Sequence, residues 1–235
     1  MRNVLAGTLV VVTLALAACG GGGSTPAGSS NGEASKSAQQ VLADAVKAAD
    51  AASSQHMSGQ VSTHGQQIGI DLSIVKGKGA TGSFTFKGQK IDLVIIGTDA
   101  YMKAGAAFYT QFGGPSGSSI GQLLDGKWLK FSTTNAQFGP LTGIASSSTI
   151  FDQLNSNHGD LTNKGATTYN GQSVVDIFDG AKNRTLYVAA TGTPYPVAVV
   201  KSGAGAGGTI TFDNWNQSVT LTAPSGAIDF SQLGG

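Results

Sequence analysis

From residue 38 onward the apolar residues fall at Ala38, Val41, Leu42, Ala45, Val46 and Ala49, with Asp44, Lys47 and Asp50 elsewhere. This is the i, i+3, i+4, i+7 spacing of one helix face. Ser35 or Ser37 can cap its start. Because Ala dominates the face, the helix brings little volume to whatever it packs against. After it the period becomes two. Ile68, Ile70, Leu72 and Ile74 alternate with Gln67, Gly69, Asp71 and Ser73; Phe84 and Phe86 alternate with Ser83, Thr85 and Lys87; Ile91, Leu93 and Ile95 form a third apolar row. Further strands are expected at 100–104, 127–132, 174–178, 184–189, 197–201, 208–212 and 218–222. The connections are short and rich in Gly, so they imply antiparallel hairpins, whereas a parallel crossover needs a dozen or more residues. Weaker helical patterns interrupt the strands over 118–124 and 141–154, where Leu141, Ile144, Ala145 and Phe151 recur. The expected fold class is α+β: a large curled antiparallel β-sheet, a half-barrel, packed on a long N-terminal helix and short helices.

A sheet of about ten strands does not stay flat, because strand twist curls it toward a barrel. One Ala-rich helix and a few short ones offer too little side-chain volume to fill its concave side to normal interior density. Either the sheet closes on its own side chains or an apolar cavity remains. If a cavity remains, its candidate lining is the inward rows Ile68, Ile70, Leu72, Ile74, Phe84, Phe86, Leu93 and Ile95.

The start of the chain follows different rules. Met1, Arg2 and Asn3 make a short basic start, and residues 4–17 are almost wholly apolar. That run suits the core of an export signal and falls short of the roughly 20 residues a membrane span needs. It closes on Leu16-Ala17-Ala18-Cys19, which resembles a bacterial lipobox, where the Cys receives diacylglycerol before cleavage. Cys19 is the only Cys in the chain, so disulfides are excluded and the core must supply stability after export. Residues 20–30 (GGGGSTPAGSS) hold no apolar side chain larger than Ala. Such a stretch is a flexible tether, and a dozen residues of it hold the folded part about 20 Å from the anchor. The organisation expected is a signal peptide over 1–18, a lipidated Cys and tether over 19–34, and a single domain over 35–235.

Charge narrows the partners. Lys plus Arg is 14 against 13 for Asp plus Glu, and without Arg2 of the signal segment the two are equal. With no net charge and no basic cluster, nucleic-acid binding lacks its main attractive term. Charged residues are 11% of the chain and hydrophobic ones 40%, which is too apolar for disorder despite 35 Gly.

Catalytic patterns are weak. Residues 203–208 (GAGAGG) satisfy G-x-G-x-x-G, but a strand rather than a helix follows, so this reads as a hairpin turn. Residues 117–121 (GSSIG) satisfy G-x-S-x-G, with His158 and Asp160 as conceivable partners of Ser119, yet loop rather than buried strand precedes them. His56, His64 and His158 show no zinc spacing, and no calcium loop is present. The reading is therefore of a non-enzyme with no metal and no cofactor. Trp128 and Trp215 lie in strand-like context and read as core rather than sugar-stacking residues.

A lipobox, a tether and an Ala-rich helix are followed by 98–103 (TDAYMK), 126–131 (GKWLKF), 169–174 (YNGQSV), 209–214 (TITFDN), 219–224 (VTLTAP) and 229–233 (DFSQL). In this order the fragments resemble actinobacterial lipoproteins of the LppX/LprAFG type, from Cys19 to the C-terminus. The resemblance implies a half-barrel related in shape to LolA-type carriers, with an apolar cavity for the acyl chains of lipids or glycolipids. It implies a monomer on the outer face of the cell membrane, lipid-anchored, with a membrane transporter as a conceivable partner. The competing expectation is a surface lipoprotein with a filled core, serving as an interaction or structural module.

Overall fold

The first long helix, α1 (Ala38–Ala51), begins with a reciprocal cap: the Ser37 hydroxyl accepts from the Gln40 backbone N–H while the Gln40 side chain accepts from the Ser37 N–H. Its face Ala38, Val41, Leu42, Ala45 and Ala49 is buried, as the spacing predicts. The fold is taken from a computed structural model, which describes residues 29–63, 65–144, 147–203 and 207–233. The signal segment, Cys19, His64, Ala145 and the middle of the 203–208 turn lie outside them.

Six strands follow α1 in meander order: β1 (Ser54–Thr63), β2 (Gln66–Val75), β3 (Gly79–Phe86), β4 (Gln89–Ile96), β5 (Asp99–Ala104) and β6 (Trp128–Ser132). Between β5 and β6 lie α2 (Ala106–Phe112) and α3 (Gly117–Leu124); after β6 come α4 (Gly139–Ile144) and α5 (Ser147–Ser156). The second half runs β7 (Leu161–Tyr169), β8 (Gln172–Asp179), β9 (Arg184–Ala189), β10 (Pro196–Lys201) and β11 (Gly208–Asp213), and a short β12 (Ile228–Asp229) ends the sheet. All twelve strands form one sheet in the order β12-β6-β5-β4-β3-β2-β1-β11-β10-β9-β8-β7. Its edges, β12 and β7, do not meet, so the sheet is open rather than a closed barrel. The expected α+β class and large sheet are what the structure has.

Several details differ from the sequence reading. β12 runs parallel to β6, so the sheet is mixed and not wholly antiparallel. Residues 218–222 form no strand, although Val219 and Leu221 are half-buried and their neighbours exposed; the segment has the alternation of a strand without a partner ladder. The sequence pattern did not reveal β1, β7 or α2. β1 is the central strand that joins the two halves, pairing with β2 on one side and β11 on the other.

The face rule of strands holds in β2. Leu72 and Ile74 are buried and Ile70 packs against the same core, while Asp71 between them is exposed. Two apolar clusters share the inner side. The first joins α1 and α5 to the middle strands through Val41, Leu42, Met57, Leu72, Phe151 and Phe212. The second lies over β3 to β6 and is built from Phe84, Ile91, Leu93, Met102, Leu129 and the helical residues Tyr109 and Leu124.

Candidate functional site: an aromatic cavity under the α2–α3 pair

β5 and β6 supply the floor of the site. Met102 and Leu129 stand directly opposite each other in the ladder, both buried and both on the inner face. Phe86 ends β3 on the same side. α2 projects Phe108, Tyr109 and Phe112 over this floor, and α3 adds Ile120 and Leu124. The far wall comes from Phe138, in the turn Ala136–Phe138, and from Phe230 and Leu233 in the C-terminal turn Phe230–Leu233. Together they enclose about 680 Å³ of space, partly open to solvent. That is within the usual size range of ligand pockets.

Local chemistry explains why the helices stand where they do. A Cβ on Gly117 would lie 2.3 Å from the Tyr109 carbonyl oxygen, and one on Gly121 would lie 2.8 Å from that of Ala106. Only Gly lets α2 and α3 approach so closely. Asp125, just past α3, accepts a hydrogen bond of 2.8 Å from the Ala106 N–H at the start of α2. The aromatic rings then set the walls. Phe86 and Phe112 are 5.4 Å apart, Phe108 and Phe112 are 5.0 Å apart, and Phe138 meets Phe230 edge to face at 5.0 Å. These are ordinary aromatic pair distances.

Two side chains bring polar atoms to the wall. Gln137 contributes an exposed amide, and the hydroxyl of Tyr109 is buried with no hydrogen-bond partner among the described residues. Burial pushes the Tyr109 phenol up to about 12, so it stays protonated at neutral pH. Among the described residues no carboxylate lines the space. At the rim, the Lys87 ammonium lies 5.6 Å from the centre of the Phe86 ring and 5.3 Å from that of Phe112. An apolar hollow of this kind has the chemistry to take up an aliphatic chain and lacks the paired acid and base that covalent work needs.

Of the eight residues predicted to line a cavity, Phe86 lines this one. Phe84, Leu93 and Ile95 are buried in the second cluster, which shares Met102, Tyr109, Leu124 and Leu129 with the wall. Leu72 and Ile74 are buried in the first cluster beside α1, Ile70 packs against that cluster, and Ile68 is half-buried on β2. The sequence reading missed Phe108, Tyr109 and Phe112, whose i, i+1, i+4 spacing between Gly105 and Gly113 was the available signal.

The other candidate groups are dispersed. Ser119 is exposed on α3, and His158 Nδ1 lies 2.7 Å from the Gly159 carbonyl oxygen. Trp215 is half-buried against the first cluster, stacked on Tyr195 at 4.5 Å. Trp128 is half-buried with Lys103 5.1 Å from its ring. Among the described residues no group of three His, Cys, Asp or Glu is placed to hold a metal ion. Among them also, no helix is long and apolar enough to cross a membrane.

His56 has a different neighbourhood, on the outer face of the sheet. Its Nδ1 lies 2.7 Å from Asp213 and its Nε2 lies 3.0 Å from Asp71, so both ring nitrogens face carboxylates on the flanking strands. Partial burial pulls its pKa down, but the hydrogen bonds to Asp71 and Asp213 outweigh it and leave the pKa above 6.5. A folded pKa above the unfolded one stabilises the fold below pH 6.5, and that contribution fades as pH rises through the folded value. Comparing the wild type with His56→Gln, the loss of stability should be larger at pH 5.5 than at pH 8.5, by about 1 kcal/mol or less. Equal losses at the two pH values in chemical denaturation would contradict the charged clamp.

Two solved structures are similar to this chain in overall fold. LprF from Mycobacterium bovis superposes with a TM-score of 0.54 at 16% identity, over 80% of this chain and 97% of that one. The lipoprotein LppX from Mycobacterium tuberculosis gives 0.51 at 16% identity, over 79% of this chain and 98% of its own. The chain has the LprF/LppX fold. No protein-family model and no curated protein matches the sequence, so the likeness lies in the backbone. In the LprF/LppX fold of this chain, the second half of the sheet packs on α1 and α5, and the aromatic cavity occupies the other end.

Proposed function

We propose that this chain is a lipid-anchored protein of the cell envelope that binds or carries the acyl chains of lipid or glycolipid in the aromatic cavity, without covalent chemistry. The observation that carries the reading is a partly open hollow of about 680 Å³ whose lining side chains are aromatic or aliphatic apart from the Gln137 amide and the Tyr109 hydroxyl. Burial of each methylene contributes about 0.8 kcal/mol, so ten of them give about 8 kcal/mol before the costs of ordering are subtracted. Anchoring through Cys19 and the tether of residues 20–30 would keep the monomeric domain beside the outer face of the membrane, within reach of its lipids and of a membrane transporter. The shared fold with two solved proteins, one of them the lipoprotein LppX, supports the same reading.

Organic extraction of the purified protein, followed by mass spectrometry, tests it. A carrier brings noncovalent acyl lipid with it in roughly stoichiometric amount. A clean extract, together with no uptake of added lipid, favours the competing module with a filled core. The anchor has its own expected result. Cys19→Ala should move the protein out of the membrane fraction or leave it as unprocessed precursor, read by fractionation and intact mass. A variant that stays membrane-bound and normally cleaved would refute lipidation at Cys19.

A further inference from the structure

A cation stands beside the cavity, and among the described residues no anion lines its wall. Lys87 follows β3 directly, in a turn where its φ is 49°, and its ammonium lies over two of the rings that line the space, Phe86 and Phe112. Lys36, Lys90, Lys103, Lys130 and Arg184 each have a carboxylate within 3.4 Å, while several other lysines, Lys47 and Lys201 among them, have none among the described residues, and what sets Lys87 apart is its place over two rings that line the cavity. Lys87 has no carboxylate partner among the described residues. The buried Tyr109 hydroxyl, in the same wall and also unpartnered, is a second donor lacking an acceptor. Phe112 and Leu123, the exposed large hydrophobics among the described residues, both belong to the α2–α3 pair that roofs the cavity. The polar side chains at the site are thus the Lys87 ammonium, the Tyr109 hydroxyl and the Gln137 amide, set in an apolar frame that reaches solvent.

We propose that the ligand is an anionic amphiphile, its acyl chain in the aromatic cavity and its carboxylate or phosphate headgroup held at the mouth by Lys87. The proposal rests on the acyl-chain reading above and adds the chemical class. Phe112 lines the cavity and also reaches solvent, and the Lys87 ammonium lies over its ring and that of Phe86, so a headgroup left outside the cavity beside Phe112 comes within reach of a positive charge. A cationic headgroup would meet repulsion there, and a neutral one gains nothing from the charge. Solvent at the mouth screens the pair, so the charge selects among headgroups while the chain supplies most of the affinity.

The test is calorimetry on the full chain carrying Cys19→Ala, with three probes of one chain length: palmitate at pH 8.5, palmitoyl-lysophosphatidylglycerol and neutral 1-palmitoylglycerol. Glycerol 3-phosphate serves as the chain-free arm. Lys87→Asn removes the charge with a residue that tolerates positive φ, and Lys87→Arg restores it. Thermal melting checks that both variants are folded. Lys87→Asn should weaken one or both anionic probes about fivefold and leave the neutral probe within twofold, with Lys87→Arg recovering the loss. An effect on lysophosphatidylglycerol alone assigns a phosphate headgroup, and an effect on both anionic probes assigns any anion. Glycerol 3-phosphate should not bind measurably, and binding comparable to the lipids would overturn the amphiphile. Equal binding of anionic and neutral probes, unchanged by Lys87→Asn, overturns the headgroup assignment and leaves the acyl-chain reading standing. No binding of any palmitoyl probe would bring down both.

Discussion

Ile120→Trp should abolish most lipid binding while leaving the protein folded. Ile120 is half-buried on α3 and faces the cavity, so an indole there has empty volume to enter rather than neighbours to displace. Occupying the space of three or four methylenes removes about 2.4 to 3.2 kcal/mol of ligand burial, roughly a hundredfold in affinity. The melting temperature should change by no more than a few degrees, since overpacking costs arise where an interior is already filled. Leu72→Trp is the matched control. Leu72 is completely buried, stands between Met57 and Gly82 in the ladder and belongs to the cluster around α1. There the same bulk should destabilise by about 1 to 3 kcal/mol. Parallel melts and lipid titrations on the two variants read both quantities. If Ile120→Trp unfolds the protein as readily as Leu72→Trp, the space under α2 and α3 is not available to a ligand.

The contrast between these two positions also separates what the sequence conveys from what it does not. Rows such as Ile68 to Ile74 announce strands because one face is apolar, yet they carry no mark of whether that face meets a helix or a hollow. Leu72 meets the cluster around α1, whereas Phe86, fourteen residues on, meets the cavity. The hollow lies at one end of the sheet, and α1 with α5 occupy the other. α2 escaped detection because seven residues give two turns, too few for a period to register. β1 escaped for another reason. Its inward positions Gln55, Met57, Gly59 and Val61 include only two apolar side chains, so hydrogen bonds to β2 and β11, rather than its own pattern, specify it. Residues 218–222 are the converse, an alternating pattern left without a neighbour. The far wall depends on Phe230 and Leu233, nearly a hundred residues from Phe138 in the chain, and contacts of that range have no local signature.

The sheet itself offers a large expected loss of stability at Gly82. This residue sits in β3 between Leu72 on β2 and Leu93 on β4, with a φ of 146°. A side chain there faces two penalties at once. The backbone conformation disfavours any Cβ, and the added carbon would lie 2.1 Å from the Asp71 carbonyl oxygen and 2.9 Å from the Leu72 Cα. Both contacts are with backbone of the neighbouring strand, so relief requires the β2–β3 ladder to open, and no rotamer change can provide it. Gly97, in the turn between β4 and β5, isolates the first penalty: its φ is 60° and a Cβ would meet nothing within 4 Å. Gly97→Ala should cost about 1 kcal/mol, the usual price of a left-handed residue. Gly82→Ala should cost about 3 kcal/mol or more, a large share of the 5 to 15 kcal/mol that typically separates folded from unfolded chains. Urea denaturation of both variants gives the comparison directly. Similar losses at the two positions would mean that β2 and β3 do not approach as closely as their register implies, and that the second cluster and the cavity wall built on it are held more loosely than described.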